Sequence, residues 1–462
     1  MDGPASGCTL LDIPDERGDC ERRLGGGTER VGSRPAIDHV LAAGGRPSGR
    51  WRSGCSRCDE REYSSHVAGS EFEVLSSGSA APRVQLRRGV PFCVCVFIAA
   101  RLFLSALGVV SVHDAPAVSV RGFPDAGTSP PIEAGWHNAL DGTFRWDAGW
   151  FVRIAEKGYD PDDGSAEFYP AFPLLARAVT WLFPIGALGA ATLVSNVSFL
   201  LALILLYGLT TLEYSEHVAR RSVVLLAAFP ASFVFMAPYS ESLFLLASVA
   251  TFWWARRGRW RTAAIAGVIA TATRAVGLVV IPPLLIEAAK EGDPSRRGGR
   301  IAAALVPAAG FVAYLVFWLV RSGNPLQPLQ APALWERTMH VPFTMIGRGI
   351  VLGAQGVGEA RGLPWTADLL LTGAVVGPLL VGWRSLRISY VVYAACTFAI
   401  LFTFTYAPRP FVGAPRYGGV MFPAFWILGL KLPSRAFAVV TAIFVVGYVI
   451  AAVAFMNQAF IF

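Results

Sequence analysis

From Ala436 to Met456 the chain runs twenty-one residues without a single charge. At 1.5 Å per residue such a run spans the roughly 30 Å of a bilayer's hydrocarbon core as one helix. A second apolar stretch, from about Ile185 to Leu212, is broken mainly by Ser195, Asn196 and Ser198. Only 16% of the 462 residues are charged, against about 25% in soluble domains. The chain therefore reads as an all-α polytopic membrane protein. Its formal net charge of +8 does not point to nucleic acid. The basic residues sit in short loops between apolar helices, as the positive-inside rule expects.

Residues 1–88 differ in composition. Gly, Ser, Arg and Pro dominate, Lys is absent, and no 3.6-residue apolar period persists. Such a segment buries too little apolar surface to offset chain entropy, and it lacks the regions of a signal peptide. It reads as a disordered cytoplasmic tail or as an over-extended gene start, with residues 89–462 forming the membrane domain. Cys55 and Cys58 make a lone CxxC in this tail. Zinc sites of that kind need a second pair at a suitable spacing, which Cys8 and Cys20 do not supply. No metal ligand set and no cofactor is expected.

Arg83, Arg87 and Arg88 precede the first span, about 90–112, and hold its start in the cytoplasm. Residues 113–170 then form a long first extracytoplasmic loop in which acids outnumber bases. Residues 171–184 are too short to span and contain Arg177, so they read as interfacial or re-entrant. Further crossings are expected near 186–212, 222–237, 243–255, 262–273, 276–289, 301–320, 366–382, 388–406, 418–430 and 436–456. That makes about eleven spans, with Pro238 to Ser242 an external turn and 321–347 an external loop.

This topology collects on one face the polar residues that apolar helices should not carry: Asp141, Asp147, Arg153, Glu167, Tyr239, Glu241, Arg274, Gln330, Trp335, Arg337, Arg416 and Tyr417. Ionisable residues at membrane depth are costly and point to function. Plainer readings stand beside that one. Glu241 and Arg274 could be an ion pair joining two helices. Asp147 could be a helix-start acid facing the macrodipole. Arg416 and Tyr417 could anchor at the headgroups, and Trp146, Trp150 and Trp335 could belong to an aromatic belt. On a helix, Asp147, Trp150 and Ile154 would share one face.

Arg145-Trp-Asp147-Ala-Gly-Trp150-Phe-Val-Arg-Ile-Ala155-Glu-Lys-Gly158-Tyr159 resembles the RWDxxWY..IA..GY motif of the PIG-V-like mannosyltransferases. Glu167-Phe-Tyr-Pro170-Ala-Phe-Pro173, Ser195-Asn196, Phe229-Pro230, Tyr239-Ser-Glu241-Ser-Leu-Phe244, Thr273-Arg274, Gly323-Asn324-Pro325 with Gln330, Trp335 and Arg337, and Pro415-Arg416-Tyr417 follow the family's motifs in order. Ala275 replaces a usual proline and Asn324 a usual acid. The resemblance covers roughly 90–460. It implies a glycosyltransferase C (GT-C) fold and transfer from a polyprenyl-phosphate sugar, mannose foremost, to a glycolipid, glycan or protein acceptor. The reaction would be inverting and would run on the extracytoplasmic face, at the plasma membrane if the source is bacterial.

In that chemistry a base takes the acceptor's hydroxyl proton, for a gain of about 10²–10⁴-fold. Fixed positive charge meets the departing phosphate. Asp147 is the expected base, and Arg416, with Tyr417 and Arg274, the expected phosphate holder. Trp146, Trp150, Glu167, Tyr239, Glu241, Gln330, Trp335 and Arg337 are expected to line the sugar and acceptor pocket. Arg145 and Arg153 look positional. The chain shows no His cluster, and metal-independent transfer is the expectation. A transporter or flippase would share the many spans, but the sequence shows no internal repeat of the kind many transporters carry. A non-catalytic binder of a lipid-linked sugar is the other alternative.

Overall fold

The computed structural model describes residues 82–114, 118–119, 128–129, 133–290, 292–357 and 363–459. Its contacts divide the chain into Met1–Val74 and Leu75–Phe462. Residues 1–81, with the tail's four cysteines and its CxxC, lie outside the described residues.

Helix α1, Pro82–Ser111, begins before the expected boundary at residue 88. The segment read as a polar loop holds a short turn, Asn138–Asp141, then helix α2, Asp147–Lys157, and a 3-10 turn, Ser165–Glu167. A two-residue pairing joins β1, Val118–Ser119, to β2, Thr128–Ser129. Helix α3, Ala171–Leu182, is the short segment expected at the interface. It buries Phe172, Pro173 and Ala176 and leaves Leu174, Leu175, Trp181 and Leu182 exposed.

Helix α4, Ala187–Glu213, is 27 residues long, about 40 Å end to end. Ser215 caps α5, Glu216–Ala228, by accepting from the Val218 N–H, which fixes its start. Pro230 follows. It cannot continue a helix ladder, and the chain turns into a 3-10 segment, Ser232–Phe235. The crossing expected at 222–237 is therefore a shorter helix that starts earlier. The Pro238–Ser242 turn, expected outside, is buried throughout. It packs under aromatic side chains, with Phe233 and Tyr239 both against Phe455.

Helices α6, Glu241–Arg256, and α7, Trp260–Thr273, follow. Next come a 3-10 run, Ala275–Val280, and α8, Ile281–Lys290. Arg297–Leu305 leads into α9, Ala308–Ser322. The loop expected at 321–347 ends early. Pro342 sits in the first turn of α10, Pro342–Gln355, where its missing N–H costs nothing. The remaining helices are α11, Leu363–Gly382; α12, Ile388–Thr403; α13, Ala414–Val420; α14, Phe422–Lys431; and α15, Ser434–Met456. Strand β3, Arg337–Met339, pairs antiparallel with β4, Phe404–Tyr406, placing Arg337 opposite Tyr406.

Among the described residues five helical segments are long and apolar enough to cross a membrane: Arg88–Ser111, Ala187–Glu213, Pro294–Ser322, Pro364–Ser385 and Ser434–Met456. The other expected crossings fall on shorter or broken pieces. The core is an aromatic stack centred on α4, α6 and α14, with Trp426, Tyr390, Phe422 and Phe252 edge to face. Leu102, Val110, Val381 and Ile450 point outward, as lipid-facing positions would.

Candidate active site

Trp146 has φ 51° and ψ −120° immediately before α2. A non-glycine residue there costs about 1–3 kcal/mol. The bend precedes Asp147, the first residue of α2, whose carboxylate meets Arg416. The helix then buries Trp150, Phe151 and Ile154. Gly158 ends it with φ 85°, its N–H reaching the Ile154 carbonyl. Asp147 is thus a helix-start acid, and it is more than that.

Gly413, at φ 80°, precedes α13 and its first-turn Pro415. This short helix turns Arg416 inward. Arg416 Nη1 donates to Asp147 Oδ2 at 2.8 Å, across 269 positions of sequence. Its Nε lies 3.1 Å from Glu241 Oε1. The same Glu241 oxygen is 2.8 Å from Arg274 Nη1. Arg274 also donates to the Tyr417 hydroxyl at 2.7 Å and to Ser240 Oγ at 3.0 Å. Asp147, Arg416, Glu241, Arg274 and Tyr417 form one continuous polar chain.

Each plainer reading is partly met or overturned here. Glu241 and Arg274 do pair, as part of a larger cluster. Arg416 is only 7% exposed, so it is no headgroup anchor. Trp150 is no belt residue. It is buried, stacked on Phe168 at 5.3 Å and edge-on to Trp335 at 5.8 Å. Tyr239 does not line a pocket. It is fully buried, donates its hydroxyl to the Arg145 carbonyl at 2.9 Å, and lies with its ring 5.2 Å from the Arg416 guanidinium.

Arg145 and Arg153 are positional as expected. Arg145 Nε holds the Met456 carbonyl at the end of α15, at 2.9 Å, and Arg153 pairs with Asp163. Arg337 reaches Glu167, 3.7 Å away. Gln330 stands apart. It is exposed, accepts from Asn324 at 2.8 Å, and lines a separate groove with Pro161, Asp162, Gly164 and Leu334. Trp146 is half-buried and packs against the main core. Ser240 is a contact that sequence reasoning missed, although it sits inside the Tyr239-Ser-Glu241 motif.

The two loop carboxylates differ electrically. Burial raises the Asp147 pKa, but Arg416's charge and hydrogen bond, with Arg337 and Arg274, outweigh it and leave Asp147 below the usual carboxylate value. A third of its side chain remains open. Glu167 goes the other way. Burial raises it and the Asp147 charge adds to that, so the pull of Arg337, Arg274 and Arg416 does not restore its usual value. Among the described residues, no group of three or more His, Cys, Asp or Glu could hold a metal ion.

Residues 92–289 match the family model described as Mannosyltransferase (PIG-V). GPI alpha-1,6-mannosyltransferase 2 of Homo sapiens is 32% identical over 192 residues, covering 39% of this chain and 38% of the human protein. The Rattus norvegicus enzyme is 30% identical over 188 residues, covering 38% and 37%. The chain thus spans less than two fifths of the length of these relatives. Among solved structures, ArnT from Cupriavidus metallidurans bound to undecaprenyl phosphate superposes with TM-score 0.46 and 16% identity, over 75% of this chain and 62% of that one. The Archaeoglobus fulgidus oligosaccharyltransferase tethered with an acceptor peptide gives TM-score 0.40 and 13% identity, over 80% of this chain and 55% of that one. Both superpositions are partial. Arg416 and Tyr417 lie outside the matched segment, and the fold alone brings them to Asp147. The long apolar helices make the protein an integral membrane protein, and its residues 92–289 are similar to the PIG-V mannosyltransferases.

Proposed function

We propose that the protein transfers mannose from a polyprenyl-phosphate donor to a hydroxyl of a glycolipid, glycan or protein acceptor on the extracytoplasmic face. The acceptor oxygen bonds to the sugar's anomeric carbon from the side opposite the phosphate. The bond from that carbon to the phosphate oxygen breaks, and its electron pair leaves with the phosphate. The acceptor's proton passes to Asp147, and the configuration inverts. Arg416, backed by Arg274 and Tyr417, meets the charge that grows on the departing phosphate, where fixed donors act most strongly. In the absence of donor, Arg416 is shared between Asp147 and Glu241. A phosphate seated on that guanidinium competes with both acids and loosens Asp147 for its role as base.

The observation that carries this reading is the Asp147–Arg416 contact at 2.8 Å. It joins the acid of the family-matched segment to an arginine beyond that segment. The reading takes the architecture as GT-C type, with about eleven crossings, a cytoplasmic N-terminus and the Asp147 end outside. The test is purified protein in liposomes given labelled polyprenyl-phosphate mannose and extracted membrane lipids and glycans. Label appearing in a new glycoside supports transfer. Label that changes leaflet but stays on the polyprenyl phosphate would establish a flippase instead.

A further inference from the structure

Most polar groups around the Asp147–Arg416 pair are committed inside the protein. The Tyr239 hydroxyl is held by the Arg145 carbonyl. Arg274 is divided among Glu241, Ser240 and Tyr417. Glu241 Oε2 has no hydrogen-bond partner, but the Glu241 side chain is sealed at 3% exposed.

Glu167 is different. Its Oε1 lies 3.7 Å from Arg337, and its side chain remains 24% accessible. Its Oε2 is buried without a hydrogen-bond partner. A buried carboxylate oxygen left without a donor is costly and calls for an explanation. Looseness of the loop is not that explanation, because the 3-10 turn carrying Glu167 is pinned on both sides. Ser165 Oγ donates to the Asp160 carbonyl at 3.0 Å, the Ser165 N–H to Asp163 Oδ1 at 2.9 Å, and the Tyr314 hydroxyl to the Ala166 carbonyl at 3.0 Å.

The surroundings suit a sugar. Phe168, the next residue, is buried and edge-on at 5.9 Å to Trp335, which is half-buried. Asp147 and Glu167 feel the same three arginines, Arg337, Arg274 and Arg416. Phe168 also stacks on Trp150 at 5.3 Å, one helical turn from Asp147, which sets Glu167 on the Asp147 side of the fold.

We propose that Glu167 is a sugar-recognition residue, its unpartnered oxygen binding a hydroxyl of the hexose carried by the lipid-linked donor while Arg337 sets its orientation. This rests on the transferase reading above. The test compares the binding of polyprenyl-phosphate mannose with that of bare polyprenyl phosphate, in lipid–detergent micelles. Wild type should prefer the sugar-bearing lipid. Glu167→Gln should lose about tenfold of that preference, the scale of one hydrogen bond to a charged group, while bare polyprenyl phosphate binds as before. Glu167→Asp, which keeps the charge but draws it back by one methylene, should lose part of the preference. Full preference in both variants overturns the proposal, and so does an equal loss of affinity for both lipids. Wild type that binds neither lipid would instead sink the transferase reading itself.

Discussion

Helix α6 begins at Glu241 and ends at Arg256, and each end is set in a buried ionic cluster. At the far end Arg256 lies 2.5 Å from Glu213 Oε1 and 3.4 Å from Glu287 Oε2. Arg387 takes Glu213 Oε2 at 2.7 Å. The Tyr390 hydroxyl donates to Glu213 Oε1 at 3.0 Å, and Ser389 to Glu287 Oε1. All four carboxylate oxygens have partners, and the cluster ties α4, α6, α8 and α12 together. At the near end Glu241 Oε2 and Glu167 Oε2 have none. Two clusters of similar composition therefore differ in closure. The closed one is a clasp, and the open one has room for a ligand's donors.

The largest expected effect falls on the clasp. Arg256→Ala takes the arginine from buried Glu287 and one of two arginines from Glu213, and breaking one side of a buried ion pair costs about 3–5 kcal/mol. Thermal unfolding in detergent should show a large drop, while the transfer rate per folded molecule holds. An unchanged melting temperature would mean that the clasp is not a structural tie.

Next is Arg416→Lys. It keeps the charge but loses the planar fork that reaches Asp147 and Glu241 together, an exchange that is not conservative at such sites. Donor KM should rise about tenfold, the equivalent of roughly 1.4 kcal/mol. Unchanged donor kinetics would remove Arg416 from the phosphate site.

The smallest effect is Glu167→Gln on stability, and its sign is opposite to that at the clasp. The folded protein holds the Glu167 pKa above its ordinary value, so the ionised form is the disfavoured one in the fold. The penalty is present above that raised pKa and is lost as pH falls through it. The Gln variant should therefore melt no lower than wild type at pH 8, and any gain should vanish on acidification. A clear loss of stability at pH 8 would place Glu167 with the clasp residues.

The Asp147–Arg416 cluster is largely legible in the sequence, because a charged residue stands out against apolar helix. Asp147, Glu241, Arg274 and Arg416 were all singled out, and they meet. Their partners within the cluster were less legible: the pairing of Asp147 with Arg416 spans 269 positions, and no local spacing encodes it. The clasp was missed for a different reason. Arg256 carries the same charge whether it faces headgroups or two buried glutamates, so its place in the sequence alone does not separate the two. The Trp146 backbone geometry and the β3–β4 pairing that brings in Arg337 are tertiary outcomes, with no glycine or turn signature to announce them. Tyr239 was placed in the pocket by its motif, but its hydroxyl is spent on the Arg145 carbonyl.

The most direct test of the whole account is Asp147→Asn, which keeps the shape and removes the base. In membranes given labelled polyprenyl-phosphate mannose, with the variant at the wild-type protein level, transfer should fall by about 10²–10⁴-fold, the usual contribution of a general base. Unimpaired transfer would contradict the account and leave Asp147 as only a helix-start acid paired with Arg416.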